Sequence, residues 1–272
     1  MRLPDVAAFE PPQGDIASGT TFPDAAFSVP SPGMMPVQET GVRPARPLPY
    51  TLQVDAAANV PAQTITVNFD NDGKAGACVH VRSPDGSSAG GSTGPWSYTV
   101  EACKSLFDTW TPGDDGSYEL TVNGPNGFFR KFAGAFATGA VDLTVVASYD
   151  ASGIALRITN NTTANVPLDV TDTTHTNEMR SKDLAPGDTV GLHFWLPPNH
   201  NWYDLIVTTS ADADFVRQCA GHVQNGEPSI SDPKMAQVPP RRHIHGGGGG
   251  PEVHRDEGQS RAERSRGPGY RK

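Results

Sequence analysis

Residues 65–81, ITVNFDNDGKAGACVHV, decide the fold, because they contain two strands and the turn that joins them. In both strands apolar residues alternate with polar or small ones, and this two-residue period is that of a half-buried β-strand. Asn, Asp and Gly dominate the intervening segment, which favours a tight turn. The expected inward-facing positions are Ile65, Val67, Phe69, Ala77, Val79 and Val81.

The same pattern returns later in the chain. Residues 154–170, IALRITNNTTANVPLDV, align with residues 65–81 without a gap, and Asn160 falls on Asn71. Further along, FVRQCAG at 215–221 aligns with FFRKFAG at 128–134. Self-similarity at a fixed period is the signature of a duplicated structural unit. The chain is therefore predicted to contain two related units.

Short strands separated by turns, without any helical period, predict an all-β chain. We expect two tandem antiparallel β-sandwich domains of the immunoglobulin/fibronectin-like type. The predicted boundaries are a proline-rich connector at 1–48, the first sandwich at 49–138, the second at 141–235, and a disordered basic and glycine-rich tail at 236–272.

The segment NGPNGFFRKFAG at 123–134 predicts a hairpin, since Asn and Gly supply the positive φ that tight turns require. Apolar and cationic side chains then follow the turn. We interpret Phe129, Arg130 and Lys131 as candidate lipid-contacting residues, with Arg130 and Lys131 facing water and Phe128 and Phe132 facing inward.

Charge and composition exclude several classes of protein. The net charge of −9 argues against nucleic acid as a partner, because phosphate contacts need clustered Lys and Arg. The first residues contain no apolar run typical of a signal peptide, and no segment is long enough for a membrane-spanning helix. Three cysteines exclude a disulfide framework, but they allow one bridge, between Cys78 and Cys103.

The sequence contains only weak matches to catalytic or metal-binding motifs. GGSTG at 90–94 matches a nucleophile-elbow pattern centred on Ser92, but Pro95 follows where a helix should begin. His243 and His245 lack a third metal ligand at a fixed spacing. The acidic loops at 69–73 and 112–116 are better explained as turns than as calcium sites. We predict no catalytic, cofactor-binding or metal-binding residue.

The four tryptophans have two interpretations. Trp96, Trp110, Trp195 and Trp202 could line the ends of a sandwich, where such rings dock into membranes or stack on sugars. Burial in the core is the commoner role. We expect core positions for two of the four.

Three longer stretches carry a family resemblance: PVQETGVRPARPLPY at 36–50, GSYELTVNGPNGFFRKFAG at 116–134 and AGHVQNGEPSISDP at 220–233. They resemble the C-terminal, non-catalytic portion of bacterial phosphocholine-specific phospholipases C, of both the haemolytic and the non-haemolytic kind. The resemblance covers residues 1–235 and includes the duplicated β-sandwich. The tail from residue 236 departs from the family pattern and resembles a disordered extension or translation past a frameshift.

The resemblance implies a function for the longer enzyme. Such enzymes hydrolyse phosphatidylcholine and sphingomyelin, and are secreted bacterial hydrolases of lipid catabolism. We expect this chain to be a fragment that lacks the catalytic domain, is inactive alone, and braces that domain or contacts the membrane. Its implied partners are the catalytic domain and a phospholipid surface, in an extracellular or periplasmic location, without a cofactor. The alternative is a free-standing carbohydrate-binding or adhesion module.

Overall fold

The computed structural model describes residues 41–136, 140–172 and 174–234. The basic tail, with His243 and His245, and the first forty residues of the connector lie outside the described residues. The described part is built almost entirely of β-strands, and its one helical element is a single 3₁₀ turn at Pro197–Asn199. The all-β prediction is confirmed.

Sixteen strands occur in this part of the chain. The connector contributes β1 (Pro44–Ala45). The first repeat consists of β2 (Leu52–Asn59), β3 (Thr64–Asn71), β4 (Ala77–Arg82), β5 (Trp96–Val100), β6 (Lys104–Trp110), β7 (Ser117–Asn123) and β8 (Phe129–Ala135). The second repeat consists of β9 (Leu143–Asp150), β10 (Gly153–Asn160), β11 (Val166–Asp172), β12 (Glu178–Leu184), β13 (Thr189–Trp195), β14 (Trp202–Thr209) and β15 (Asp212–His222), and β16 (Ser229–Ile230) follows it.

The two repeats share one large sheet. Each repeat contributes a separate three-stranded sheet, in the order β2-β3-β6 or β13-β10-β9. The remaining strands form one continuous eight-stranded sheet, in the order β12-β11-β14-β15-β8-β7-β4-β5. Strands at matching distances from its centre are equivalent in the two repeats, so the sheet has approximate two-fold symmetry about the β15–β8 junction. The sandwich architecture was expected, whereas the shared sheet was not.

The alternation of apolar residues builds the two cores. All six inward positions expected from residues 65–81 are buried in the first core. The second core gathers apolar side chains of β9, β10 and β13 against those of β11, β14 and β15. Each three-stranded sheet therefore packs on its own half of the large sheet, and burial of these aliphatic and aromatic side chains drives the folding.

A buried asparagine closes the same turn in both repeats. Asn71 Nδ2 donates to the carbonyl oxygens of Ala75 (2.8 Å) and Val100 (3.1 Å), and its Oδ1 accepts from the amide of Gly73. Asn160 Nδ2 donates to the corresponding carbonyls of Ala164 (2.8 Å) and Leu184 (2.9 Å). Both side chains are almost fully buried, and these hydrogen bonds satisfy polar groups that burial would otherwise leave unpaired. The two repeats therefore share the same turn, and equivalent hydrogen bonds stabilise it in each.

Candidate functional site

The predicted hairpin is present. Strands β7 and β8 pair in antiparallel register, and Gly124 N donates to Phe128 O across the turn (2.8 Å). Asn126 and Gly127 have φ of 52° and 72°, which is the left-handed region that this turn requires. Phe128 is buried at 9% exposure, as expected. The tip of the hairpin is therefore polar, because its one aromatic residue turns inward.

The three candidate lipid-contacting residues occupy two different faces. Phe129 and Lys131 are half-buried on the outer face of the large sheet, where Lys131 Nζ lies 2.9 Å from Glu119 Oε1. Arg130 is fully buried, on the same face as Phe128 and Phe132. The expectation that Arg130 faces water is wrong, because β8 is an inner strand whose alternate side chains enter the sandwich. The lipid contact itself remains a prediction for Phe129 and Lys131.

Buried Arg130 reaches from the first repeat into the second. Its Nη1 donates to the carbonyl oxygens of Phe129 (2.8 Å) and Ala220 (3.1 Å), and its Nη2 to the hydroxyls of Tyr203 (3.2 Å) and Tyr149. Burial raises the pKa of Tyr203 well above its ordinary value, and the charge of Arg130 only partly opposes this. The phenol therefore stays neutral and its oxygen accepts.

Arg217 makes the equivalent contacts in the opposite direction. Its Nη1 donates to the carbonyl oxygens of Ala133 (2.6 Å) and Val216 (3.0 Å), and its Nη2 to Tyr118 Oη (2.7 Å). The guanidinium lies 4.4 Å from the ring centre of Phe215, which is within cation–π range. Arg217 is only 3% exposed. Each repeat thus inserts one arginine among the carbonyl and phenol oxygens of the other, and this pair fixes the two sandwiches together.

The two glycines of the repeated Ala-Gly motif leave room for the tyrosines. Gly134 pairs with Tyr118 across the β7–β8 ladder, and Gly221 pairs with Tyr203 across the β14–β15 ladder. A Cβ at Gly134 would lie 2.7 Å from Tyr118 Oη, and one at Gly221 would lie 3.2 Å from Tyr203 Oη. Each ring therefore lies over a glycine, and its hydroxyl is aimed at the arginine of the opposite repeat.

The connector is held by the C-terminal segment, which we call the strap (residues 224–234). Strand β1 pairs with β16 of the strap, and beyond this ladder Ser231 N donates to the Arg43 carbonyl (2.8 Å) while Arg43 N donates to Ser231 Oγ (3.0 Å). Leu48 N donates to Gln224 Oε1 (3.1 Å). Trp202 of β14 donates from Nε1 to the Ile230 carbonyl (3.0 Å), so the strap is also bound to the second sandwich.

His175 joins the strap to the loop between β11 and β12. Its Nε2 lies 3.3 Å from Asp232 Oδ1 of the strap, and its Nδ1 lies 3.7 Å from Asp172 Oδ1. Burial alone would lower the pKa of His175, but the hydrogen bond with Asp232 and the negative charges of Asp232 and Asp172 outweigh it and raise the pKa to about 9. At neutral pH the imidazolium is therefore charged, buried between two acids.

A cleft of about 470 Å³ lies beside this histidine. Its walls come from the β7–β8 turn, the β11–β12 loop, strands β14 and β15, and the strap. Asp204, on the wall, accepts from Thr174 Oγ1 (2.7 Å) and Gln218 Nε2 (2.7 Å). The Asp204 carboxylate is therefore already occupied by protein donors.

Comparisons with known proteins bear directly on this arrangement. A family model described as "Bacterial phospholipase C, C-terminal domain" matches the chain twice, at residues 44–135 and 140–222, which together make up more than half of it. The chain belongs to this family. The two matches coincide with the two sandwiches, so the family unit is a single repeat.

Three named relatives support the assignment of the chain to this family. The chain is 39% identical over 243 residues to a non-hemolytic phospholipase C of Burkholderia pseudomallei, a match that covers 86% of this chain and 33% of the relative. It is 33% identical to a non-hemolytic and 32% identical to a hemolytic phospholipase C of Pseudomonas aeruginosa, covering 76% and 75% of this chain. These matches cover 30% and 31% of those relatives, so the chain spans about a third of their length.

Among the described residues of this phospholipase C C-terminal region, one cluster has the composition of a hydrolase triad. Ser152 Oγ donates to Asp150 Oδ1 (2.6 Å), and His193 Nε2 lies 3.3 Å from that hydroxyl and 3.1 Å from Asp150 Oδ2. A working triad places the carboxylate on one imidazole nitrogen and the serine on the other. Here both face Nε2, so His193 cannot be oriented by Asp150 while it takes a proton from Ser152. The cluster closes the β9–β10 turn.

Ser92 has no catalytic geometry either. It forms an isolated bridge with Ala89, and its Oγ accepts from the amide of Gly94 (3.2 Å). Strand β5 begins at Trp96, where the nucleophile-elbow motif requires a helix.

The remaining sequence-based candidates have structural roles. Asp115 Oδ1 accepts from the amide and hydroxyl of Ser117, as a turn residue does, and no group of three or more potential ligands is arranged to hold a metal in the part of the chain that the structure describes. Trp110 and Trp202 are buried, which confirms two core tryptophans, whereas Trp195 is 63% exposed. The three cysteines are free thiols, so the bridge that the sequence allowed is not formed.

None of the described residues belongs to a helix with the length and apolar character needed to cross a bilayer. The residues that sequence reasoning missed are Tyr118, Tyr203, Arg217 and His175, whose partners come from distant parts of the chain. The alignment of the repeats contained the signal for the first three, because tyrosine and arginine recur at matching positions while the loops differ.

Proposed function

We propose that this chain acts as the non-catalytic C-terminal region of a phospholipase C that hydrolyses phosphatidylcholine and sphingomyelin, and that it braces the catalytic region. The observation that carries the proposal is the anchored connector. Residues 43–48 are hydrogen-bonded to the strap, and the strap is bound to a body whose repeats share one sheet. Such a connector gives any preceding domain a fixed point of attachment.

Family membership supports the same role. The relatives are named phospholipases C, and the chain covers about a third of each. The clusters that resemble catalytic groups, Ser92 and Ser152 with His193, lack the geometry for nucleophilic attack. We therefore assign the hydrolase activity and its role in lipid catabolism to the whole enzyme, in an extracellular setting, and assign no catalytic step to this region.

The outer face of the large sheet is our proposed membrane-contacting surface, through Phe129 and Lys131. Both side chains are partly accessible there, and a lysine beside an aromatic ring suits the interface between headgroups and acyl chains. The side chains of the Lys131–Glu119 ion pair are 27% and 34% exposed, and surface pairs of this kind contribute little, so the ammonium group remains available.

Vesicles of phosphatidylcholine and sphingomyelin test these roles. The purified chain should release no phosphocholine, and the double variant Phe129→Ser, Lys131→Ser should co-sediment less than the parent. Phe107→Ser is the matched control, because Phe107 is 71% exposed on β6, in a different sheet. Phosphocholine release by the chain alone would contradict the non-catalytic assignment. Equal sedimentation of parent and double variant would contradict the membrane surface, and glycan binding instead would favour the adhesion module.

A chimera tests the bracing role. We expect the Burkholderia relative to keep its activity when its matching third is replaced by this chain, and to lose thermal stability when that third is deleted. A deleted form as stable and active as the intact enzyme would remove the need for a brace.

A further inference from the structure

The strap and the connector meet in a short ladder. They are joined by the two residue pairs of the β1–β16 ladder, by the hydrogen bonds between Arg43 and Ser231, and by the bond from Leu48 N to Gln224 Oε1. Isolated two-stranded ladders are marginal in water, so a strand pair this short needs support from elsewhere. The support on the strap side comes from Trp202, bonded to the Ile230 carbonyl, and from His175, facing Asp232.

His175 is placed to act on the whole strap. Its side chain is 4% exposed, Asp172 is 1% exposed and Asp232 is 16% exposed. Asp232 is separated from Ile230, the strap residue in the ladder, by one residue only. Displacement of the strap would take away the nearer carboxylate, that of Asp232 at 3.3 Å, and leave the buried imidazolium facing Asp172 at 3.7 Å, which costs free energy. The loop at His175 is thereby coupled to the connector.

We propose that His175 is a latch residue, which locks the strap to the β11–β12 loop and so fixes the connector where it enters the first sandwich. This inference deepens the proposed bracing role. The biological purpose of the latch rests on that role, whereas the latch itself does not. The groups that face the latch are Asp172 at the end of β11, Asp232 of the strap, and Asp204 of β14, which reaches the same loop through Thr174. All three are acidic, so a positive charge on His175 strengthens the latch.

Hydrogen exchange on the full chain tests the latch. The probes are the indole N–H of Trp202, which donates to the strap at Ile230, and the amides of Ser231 and Leu48. In His175→Gln these protons should exchange about tenfold faster or more, because the attraction between the imidazolium and the carboxylates of Asp172 and Asp232 is lost. The reference is the amides of β14, which lie inside the large sheet and should keep their rates.

Two further variants make the test decisive. His193→Gln is the matched control, since His193 also contacts an aspartate, Asp150 at 3.1 Å, but on the exposed β9–β10 turn. It should leave all the probes unchanged. Asp232→Asn should accelerate the same probes as His175→Gln, and the double variant should add little to either.

The outcomes separate cleanly. Faster exchange confined to the strap and connector supports the latch. Unchanged probes in both His175→Gln and Asp232→Asn overturn it. If His175→Gln also accelerates the β14 amides, Asp232→Asn decides, because that change keeps the shape of the side chain. None of these readouts depends on phosphocholine release or vesicle binding, so failure of the latch is distinct from failure of the proposed function.

Discussion

Arg130 and Arg217 occupy equivalent positions on the two strands that join the repeats. Arg130 pairs across the ladder with Cys219 and Arg217 with Phe132, while Lys131 faces Gln218 at the centre. Each arginine donates to a tyrosine of the opposite repeat, Tyr203 or Tyr118. The duplication is thus arranged like a two-fold dimer within one chain, with buried charge at its junction.

Removal of one arginine should destabilise the whole body. We expect Arg217→Met to lower the free energy of unfolding by about 2 kcal/mol or more, since Tyr118 and the Ala133 carbonyl lose a charged donor. Urea denaturation measures this. Lys131→Met, on the outer face of the neighbouring strand, is the control and should change stability by less than about 0.5 kcal/mol. Equal losses in the two variants would contradict a special role for the buried pair.

The partner tyrosine should couple to the arginine. Tyr118→Phe combined with Arg217→Met should cost less than the sum of the two single changes, because both remove the same hydrogen bond. A double-mutant cycle by chemical denaturation gives the coupling energy. Additive losses would show that the 2.7 Å contact contributes nothing to stability.

The buried turn asparagine should be among the costly polar positions. Asn160→Ala leaves the carbonyls of Ala164 and Leu184 without their donor, and we expect a loss of about 2 kcal/mol. The adjacent Asn161 is exposed and bonds to Asp142 and Thr144, so Asn161→Ala should cost well under about 1 kcal/mol. Thermal or urea unfolding of the two variants compares a buried with an exposed asparagine at nearly the same place. A larger loss of stability in Asn161→Ala than in Asn160→Ala would contradict the role of the buried side chain.

Stability should depend on pH through His175. Its pKa is raised from 6.5 to about 9 in the folded protein, so its contribution is fully present below pH 6.5 and is lost as the pH rises through about 9. The pKa of Asp172 is lowered by His175 despite its burial, so that contribution is lost as the pH falls below its ordinary value of 3.8.

The comparison of parent and His175→Gln isolates this effect from His222, whose pKa is lowered by burial and whose contribution has the opposite sign. Urea unfolding at several pH values should show the largest difference between pH 4 and 6.5 and a shrinking one up to about pH 9. A difference that is constant across this range would exclude a charged histidine.

The three cysteines should differ in the rate at which their thiols react. Cys78 and Cys103 are exposed, and Cys219 is buried with its pKa raised by burial. In the native protein two thiols should react promptly with a chromogenic disulfide, and the third only as the protein unfolds, because the thiolate is the reactive form. The absence of any fast thiol, with the mass of an oxidised pair, would instead demonstrate the bridge between Cys78 and Cys103.

The sequence pattern predicted much of the fold, because these features depend on residues that are close together in the chain. The alternation at 65–81 gave the buried faces of β3 and β4, and the aligned Asn71 and Asn160 both close turns through contacts within their own repeat. Period two also put Arg130 in phase with Phe128 and Phe132. Because Arg130 is charged, we expected its side chain to face water. This expectation was wrong, and the sequence of β8 alone does not reveal the oxygens that accept its hydrogen bonds.

By itself, the sequence determined an all-β chain, a duplicated unit and the inward side of each strand, since a pleated strand turns alternate residues to opposite faces. The pairing of β8 with β15, the exchange of partners between Arg130 and Arg217, and the contact of His175 with the strap became visible in the folded chain alone. Those contacts join residues far apart in the chain. Their hydrogen bonds depend on geometry that exists only once both sandwiches have folded.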